Sequence, residues 1–273
     1  MKKLIKNLLI VIMILISITA ITIASINISN NRNGADNIKN KYISFMGDSI
    51  TTYSDWSNNT AYNTTIKDNA VWYTEDIMDS VDKTWWKKTI NDLNLKLCVN
   101  NSWSGSMVSI TGGDIPAATM DRSYNLHNDV DNINPDIIVI YIGINDFNAG
   151  VELGSFSDVS EIYDSATNSY IGNLNEFAHS YATMLHKIKT TYENADVFCC
   201  TMYNNGNDAI KNWNITINNI AEYFDYKIVD FYNDTKFTGS NLLKYTVDYL
   251  HPNENGMNEM SKCLSKALLK HYK

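Results

Sequence analysis

The chain has 273 residues and sets 30 Asp and Glu against 22 Lys and Arg, a formal net charge of −8. That length suits one substantial α/β domain with a full core, and 3 Pro, 12 Gly and no internal repeat leave no linker to divide it. The acidic balance argues against nucleic acid and anionic membrane surfaces as partners, since both need a basic face.

The first 24 residues read as a targeting segment. Lys2, Lys3 and Lys6 precede an apolar stretch over residues 8–24, broken only by Ser17, Thr19 and Thr22. Thr22 and Ala24 suit cleavage of a signal peptide before Ser25, and the stretch is nearly long enough to stay as a membrane anchor. On either outcome the positive flank stays inside and the domain is exported, either secreted or held on the outer face of the cell membrane. Loss of residues 1–24 removes three Lys and no acid, taking the net charge from −8 to −11. Residues 25–40, polar and Asn-rich, read as a tether, and the domain is expected over 41–273.

From residue 41 short apolar runs alternate with helical patterns. Strands are predicted at 42–46, 96–100, 136–142, 196–202 and 227–231, and helices at 84–95, 176–192, 208–224 and 253–271. Strands rich in Ile and Val, separated by helices, predict a parallel sheet of about five strands covered on both faces. Three excursions interrupt the alternation. Residues 52–83 and 106–135 are expected to wall a pocket, and residues 147–175 to form its rim or lid. Of the four cysteines, Cys98, Cys199 and Cys200 fall in strands, which predicts buried free thiols; with Cys263 they have no metal-like spacing. Adjacent cysteines on a strand point to opposite faces, which disfavours a shared disulfide partner.

In a parallel sheet, ligands bind beyond the C-terminal ends of the strands. Three short stretches fall there: Gly47-Asp48-Ser49-Ile50, Asn101-Ser102-Trp103-Ser104-Gly105 and Gly143-Ile144-Asn145-Asp146. A fourth, Asp248-Tyr249-Leu250-His251-Pro252, precedes the last helix. The Ser49 hydroxyl needs a base to act as a nucleophile, and His251 is the best placed of the five histidines. Asp248, three residues earlier, is positioned to fix the imidazole tautomer and to favour the imidazolium, raising the pKa of His251. Pro252 suits the first turn of the final helix. Acyl transfer also needs donors for an oxyanion, which the Ser49 and Gly105 amides and the Asn145 side chain would supply. Singly, Asp248 reads as a helix cap, and Gly105 and Asn145 as turn residues. Together the four stretches contain what ester cleavage requires.

In this order the four blocks resemble the SGNH, or GDSL-type, esterase and lipase superfamily. The resemblance spans about residues 41–271. It implies a three-layer α/β/α, flavodoxin-like fold, Ser49 as nucleophile, Asp248 and His251 completing a triad, and Ser49, Gly105 and Asn145 forming the oxyanion hole. It implies no metal or organic cofactor. Ile50 stands where the usual first block has Leu, a volume-conserving change.

The excursion after Ser49 is longer than a minimal member needs, so the resemblance does not supply the substrate. Tyr53, Trp56, Tyr62, Trp72 and Tyr73, with Trp85, Trp86 and Trp103, are candidates for a platform that stacks on sugar rings. The competing expectation is core packing, with Trp85 and Trp86 straddling a helix against the sheet. His127, His179, His186 and His271 are scattered and read as packing or surface positions. The function expected is an exported ester hydrolase working through an acyl-enzyme on O-acetylated carbohydrate. Its substrate would be a small-molecule or polysaccharide ester, with no nucleic-acid partner and no membrane contact except through the N-terminal segment. The alternatives are a lipase or lysophospholipase of the same fold, or a catalytically silent cell-surface glycan-binding protein.

Overall fold

The computed structural model describes residues 34–54, 71–111 and 117–273, together with 12–13, 15–17 and 19. Most of the targeting segment, with Trp56 and Tyr62, lies outside the described residues. Among the described residues no helix is long and apolar enough to cross a membrane.

Five strands make one parallel sheet: β1 (Tyr42–Gly47), β2 (Lys96–Ser102), β3 (Ile137–Tyr141), β6 (Asp196–Cys200) and β7 (Lys227–Val229). Their spatial order is β2-β1-β3-β6-β7, while β4 (Tyr163–Asp164) and β5 (Ser169–Tyr170) pair separately as a hairpin. This is the flavodoxin-like order, in which the chain reverses its direction of travel between β1 and β3. The helices are α1 (Trp85–Leu93), α2 (Ile144–Asn148), α3 (Phe177–Thr191), α4 (Ile210–Tyr223), α5 (Phe231–Asp234), α6 (Leu242–Tyr245) and α7 (Glu254–His271). α1 packs beside α7 and α3 beside α4, and the right-handed crossover rule for parallel strands puts the two pairs on opposite faces of the sheet. The result is a three-layer α/β/α fold.

The middle strands explain why apolar runs, rather than alternating patterns, marked the sheet. Every residue of β3 is buried, as is every residue of β1 after Tyr42, because both faces are covered. Trp85 and Trp86 are both fully buried and both reach Phe45 of β1, Trp85 edge-on at 5.5 Å between ring centroids. All four cysteines are free and buried.

Side-chain caps trim the predicted elements. Thr84 caps α1 through Lys87 N, and Asn94 ends it in the left-handed conformation, so both leave the helix predicted at 84–95. β7 stops at Val229 because Asp230 turns to cap α5. Asn253 caps α7 by accepting from Asn255 N and Gly256 N. Pro252 therefore stands before the last helix, not in its first turn as the sequence suggested.

The 147–175 excursion lies against the helical layer. Phe156 packs on Tyr223 and Phe224, Tyr163 on His186, and Val159 N donates to the Tyr223 hydroxyl. These anchors tie it to α3 and α4, and Ile110 N donates to Leu174 O at 2.9 Å, which joins it to the 106–135 excursion.

Candidate active site

Gly47 is paired with Ser102 on one side and Tyr141 on the other, so the ends of β1, β2 and β3 are level. Ser49, Gly105 and Asn145 follow these three ends and leave the sheet at one edge. A Cβ at residue 47 would sit 2.5 Å from Thr51 Oγ1 and 2.9 Å from the Tyr141 carbonyl oxygen, which only glycine avoids. The chain then tightens into a 3-10 turn over Ser49–Thr51. Asp48 Oδ1 accepts from Ile50 N at 3.0 Å, and Thr52 Oγ1 donates to Ser49 O at 2.8 Å.

The loop before α7 meets this turn. His251 Nε2 lies 2.9 Å from Ser49 Oγ, and His251 Nδ1 lies 2.7 Å from Asp248 Oδ2. An ionised carboxylate only accepts, so Nδ1 carries the proton and Nε2 presents its lone pair to the Ser49 hydroxyl. The loop is closed by its own backbone: Val247 N donates to His251 O at 2.8 Å, Thr246 bridges Pro252, and Tyr249 takes φ 68°. Asp248 Oδ1 accepts from His251 N at 2.7 Å and Leu250 N at 3.1 Å.

Partial burial works against the Asp248 carboxylate, yet the two amides and the imidazole hold its carboxyl below the ordinary value. Burial lowers His251 from its ordinary 6.5, outweighing the pull of Asp248. That reverses the direction expected from the sequence, where the neighbouring acid was visible and the burial was not. Burial thus favours the neutral imidazole, the form a base needs.

On the other side of Ser49, Gly105 holds φ 75°, a conformation that favours glycine, and Asn145 Nδ2 donates to Ser106 O at 2.9 Å. The amide has a second hydrogen to offer. Arg122, from the 106–135 excursion, is fully buried and donates to Gly47 O at 2.8 Å, Asn101 O at 2.7 Å and the Ser106 hydroxyl. Asp146 accepts from Val108 N at 2.8 Å and Ser109 N at 2.9 Å, and burial raises its carboxyl against those bonds. Burial likewise pushes Asp48 up to about 7, opposed by the Ile50 amide and the Arg122 charge.

The family model for GDSL-like lipase/acylhydrolase matches residues 41–268. The chain belongs to the GDSL-like lipase/acylhydrolase family. No curated protein matches it. Solved structures similar to this GDSL-like chain include one from Bacteroides ovatus designated a GDSL-like lipase, 24% identical with a TM-score of 0.58, covering 84% of this chain and 97% of that one. A family two carbohydrate esterase from Clostridium thermocellum, in complex with cellohexaose, is 18% identical with a TM-score of 0.55. That match covers 83% of this chain but only 62% of the other. A family 3 carbohydrate esterase from the same organism is 16% identical with a TM-score of 0.52, covering 86% of this chain and 98% of that one.

Within this GDSL-like domain most of the described candidates for a sugar platform are core residues, while Trp56 and Tyr62 lie outside the described residues. Tyr53, Tyr73, Trp85, Trp86 and Trp103 are buried in the core and present no face to a ligand. Trp72 is half-buried, and its indole lies flat on the His251 imidazole, with ring centroids 3.6 Å apart and planes 10° apart. The other histidines stay away from the site: His127 pairs with Asp129, His179 with Glu161 and His271 with Asp196, while His186 packs on Tyr163.

Sequence reasoning missed Arg122, Asp146, and the link from Trp72 to His251. For Arg122 a signal existed. The chain has only two arginines, Arg32 and Arg122, among its 22 basic residues, so one within the domain marks a place where a planar, multi-donor fork is needed.

Proposed function

We propose that this chain is an exported serine ester hydrolase that works through an acyl-enzyme, with an O-acetylated carbohydrate as substrate. The observation that carries the reading is the continuous hydrogen-bonded line from Ser49 Oγ through His251 to Asp248. Ser49 Oγ attacks the acyl carbon while its proton passes to His251 Nε2. The carbonyl oxygen becomes an oxyanion received by the Ser49 and Gly105 amides and the Asn145 side chain. Collapse breaks the bond to the alcohol, which leaves with the proton from His251, and the acyl group stays on Ser49. Water then attacks that ester, gives its proton to His251 and releases the acid, restoring the Ser49 hydroxyl.

The sugar half of the proposal rests on the likeness in fold to two carbohydrate esterases. The acidic charge of the chain adds to it, since a net −8 suits an anionic lipid surface poorly. Export rests on the basic and then apolar pattern of residues 1–24. A lipid substrate has one observation in its favour: Leu243, Val247 and Tyr249, beside Asp248, are exposed.

A fluorophosphonate probe tests the chemistry. It should label wild-type protein at Ser49 and fail on a folded Ser49→Ala variant, which should also lose turnover. Hydrolysis by that variant near the wild-type rate would sink the assignment. A panel of p-nitrophenyl esters from acetate to palmitate, run beside acetylated oligosaccharides, separates the substrates. Preference for long acyl chains would replace the sugar reading with the lipase.

A further inference from the structure

Residues 72 and 73 touch both halves of the Ser49–His251 pair. On the nucleophile side, Trp72 N donates to Thr52 Oγ1 at 3.0 Å, and Thr52 Oγ1 in turn donates to Ser49 O at 2.8 Å. Ser54 N closes the same junction by donating to Tyr73 O at 2.9 Å. On the base side, the Trp72 indole covers one face of the His251 ring, and the Tyr73 hydroxyl donates to Pro252 O at 2.7 Å. The two aromatic rings brace each other edge to face, 4.5 Å between centroids and 75° between planes. Tyr73 is fully buried, so its hydroxyl and the carbonyl it meets gain a partner that water does not replace.

These contacts constrain what the triad hydrogen bonds leave free. The Asp248 bond to Nδ1 holds the imidazole within its own plane but tolerates tilting of that plane. An indole stacked at 3.6 Å opposes the tilt, because the ring would have to pass through it. The stacked π face also favours the imidazolium that forms when Nε2 takes the serine proton. Tyr73 acts one residue further on, fixing the backbone that carries the histidine.

We infer that Trp72 and Tyr73 form a strut between the nucleophile turn and the base loop, positioning His251 over Ser49. Trp72 sets the plane of the imidazole and Tyr73 sets the height of its loop. The inference rests on the reading of Ser49, His251 and Asp248 as a catalytic relay. Neither residue belongs to the four motif blocks; both are positioning residues supplied by the excursion after Ser49.

The test compares Trp72→Leu, Trp72→Phe and Tyr73→Phe in the full chain, by p-nitrophenyl acetate kinetics, the rate of fluorophosphonate labelling and melting temperature. Trp72→Leu should lower kcat by about tenfold to a hundredfold with little change in KM, and slow labelling of Ser49 by a similar factor. Trp72→Phe, which keeps a stacking face, should recover to within about threefold of wild type. Tyr73→Phe keeps the ring and loses only the hydroxyl, so kcat should fall by about threefold to tenfold with KM held.

A Leu variant with wild-type kcat, equal losses in the Leu and Phe variants, or a loss confined to KM would overturn the strut. If the Leu variant does not fold, Tyr73→Phe decides: unchanged kcat overturns the proposal and the selective loss supports it. Wild-type protein that neither labels nor turns over removes the esterase reading and the strut together. Wild-type protein that does both, matched by Trp72→Leu, removes the strut alone.

Discussion

The acid–base loop from Thr246 to Pro252 closes on itself, through Val247 N to His251 O and through Asp248 accepting from two amides within three residues. The oxyanion side has local turns too, such as Ser106 N donating to Trp103 O around Gly105, but these do not join its loops to one another. Its loops leave three different strands and are joined by side chains far apart in sequence: Arg122 reaches Gly47 and Asn101, Asp146 holds Val108 and Ser109, and Asn145 holds Ser106. One half of the site thus sets its acid–base pair within a short turn that Trp72 and Tyr73 brace from a distance, and the other joins its separate loops by buried long-range polar contacts. The two halves should fail differently when disturbed, the first in chemistry alone and the second in chemistry and stability together.

The largest effect should come from Asp248→Asn. The amide oxygen still accepts a backbone hydrogen bond, but the side chain no longer selects the Nδ1–H tautomer, so kcat should fall by about 10⁴-fold. Its urea midpoint should stay near wild type; a large drop there would show that the loop depends on the charge and is not self-closed. Arg122→Met should do the reverse of sparing the fold. It removes the Arg122 donors from the carbonyl of Asn101 and from that of Gly47, which keeps only Trp103 N, and unfolding free energy should drop by about 3–5 kcal/mol along with activity. Full stability in that variant would break the contrast between the halves.

Asn145→Ala should lower kcat by about 10²–10³-fold with a smaller change in KM, because its amide is asked to meet charge that develops in the transition state. An effect confined to KM would make it a ground-state contact. The smallest effect concerns Asp48. Its folded pKa of about 7 lies above the ordinary 3.8, so the folded state binds a proton that the unfolded chain releases. The stability so gained is complete below about pH 4 and is lost as pH rises through about 7. Asp48→Asn, which bears no charge, should make the decline in melting temperature over that range shallower. An unchanged slope would assign the pH dependence to other groups.

Much of the molecule was legible in the chain before folding was considered. Continuous apolar runs such as 137–141 announce a strand covered on both faces, because no alternation is needed when neither face meets water. Asp248 and His251 stand three residues apart, so their pairing needs only a turn, and glycine at 105 permits the left-handed backbone it adopts. The one direction read wrongly, the pKa of His251, shows the boundary. The acid that raises it is a neighbour in sequence, while the burial that lowers it comes from packing.

What only the tertiary structure decided are the contacts between residues distant in the chain. The rarity of arginine marks Arg122 in the chain, but its partners appear only when the ends of β1 and β2 meet around it and offer the carbonyls of Gly47 and Asn101. Trp72 and Tyr73 are adjacent aromatics in an irregular segment, equally suited by type to a core or to a binding face. Only the fold, by bringing residues 49, 72 and 251 together, turns one into a cover for the imidazole and the other into an anchor for Pro252. Local hydrogen bonding and periodicity act over a few residues and are written in the sequence. Long-range packing depends on which surfaces meet, and that is settled only when the sheet closes around its core.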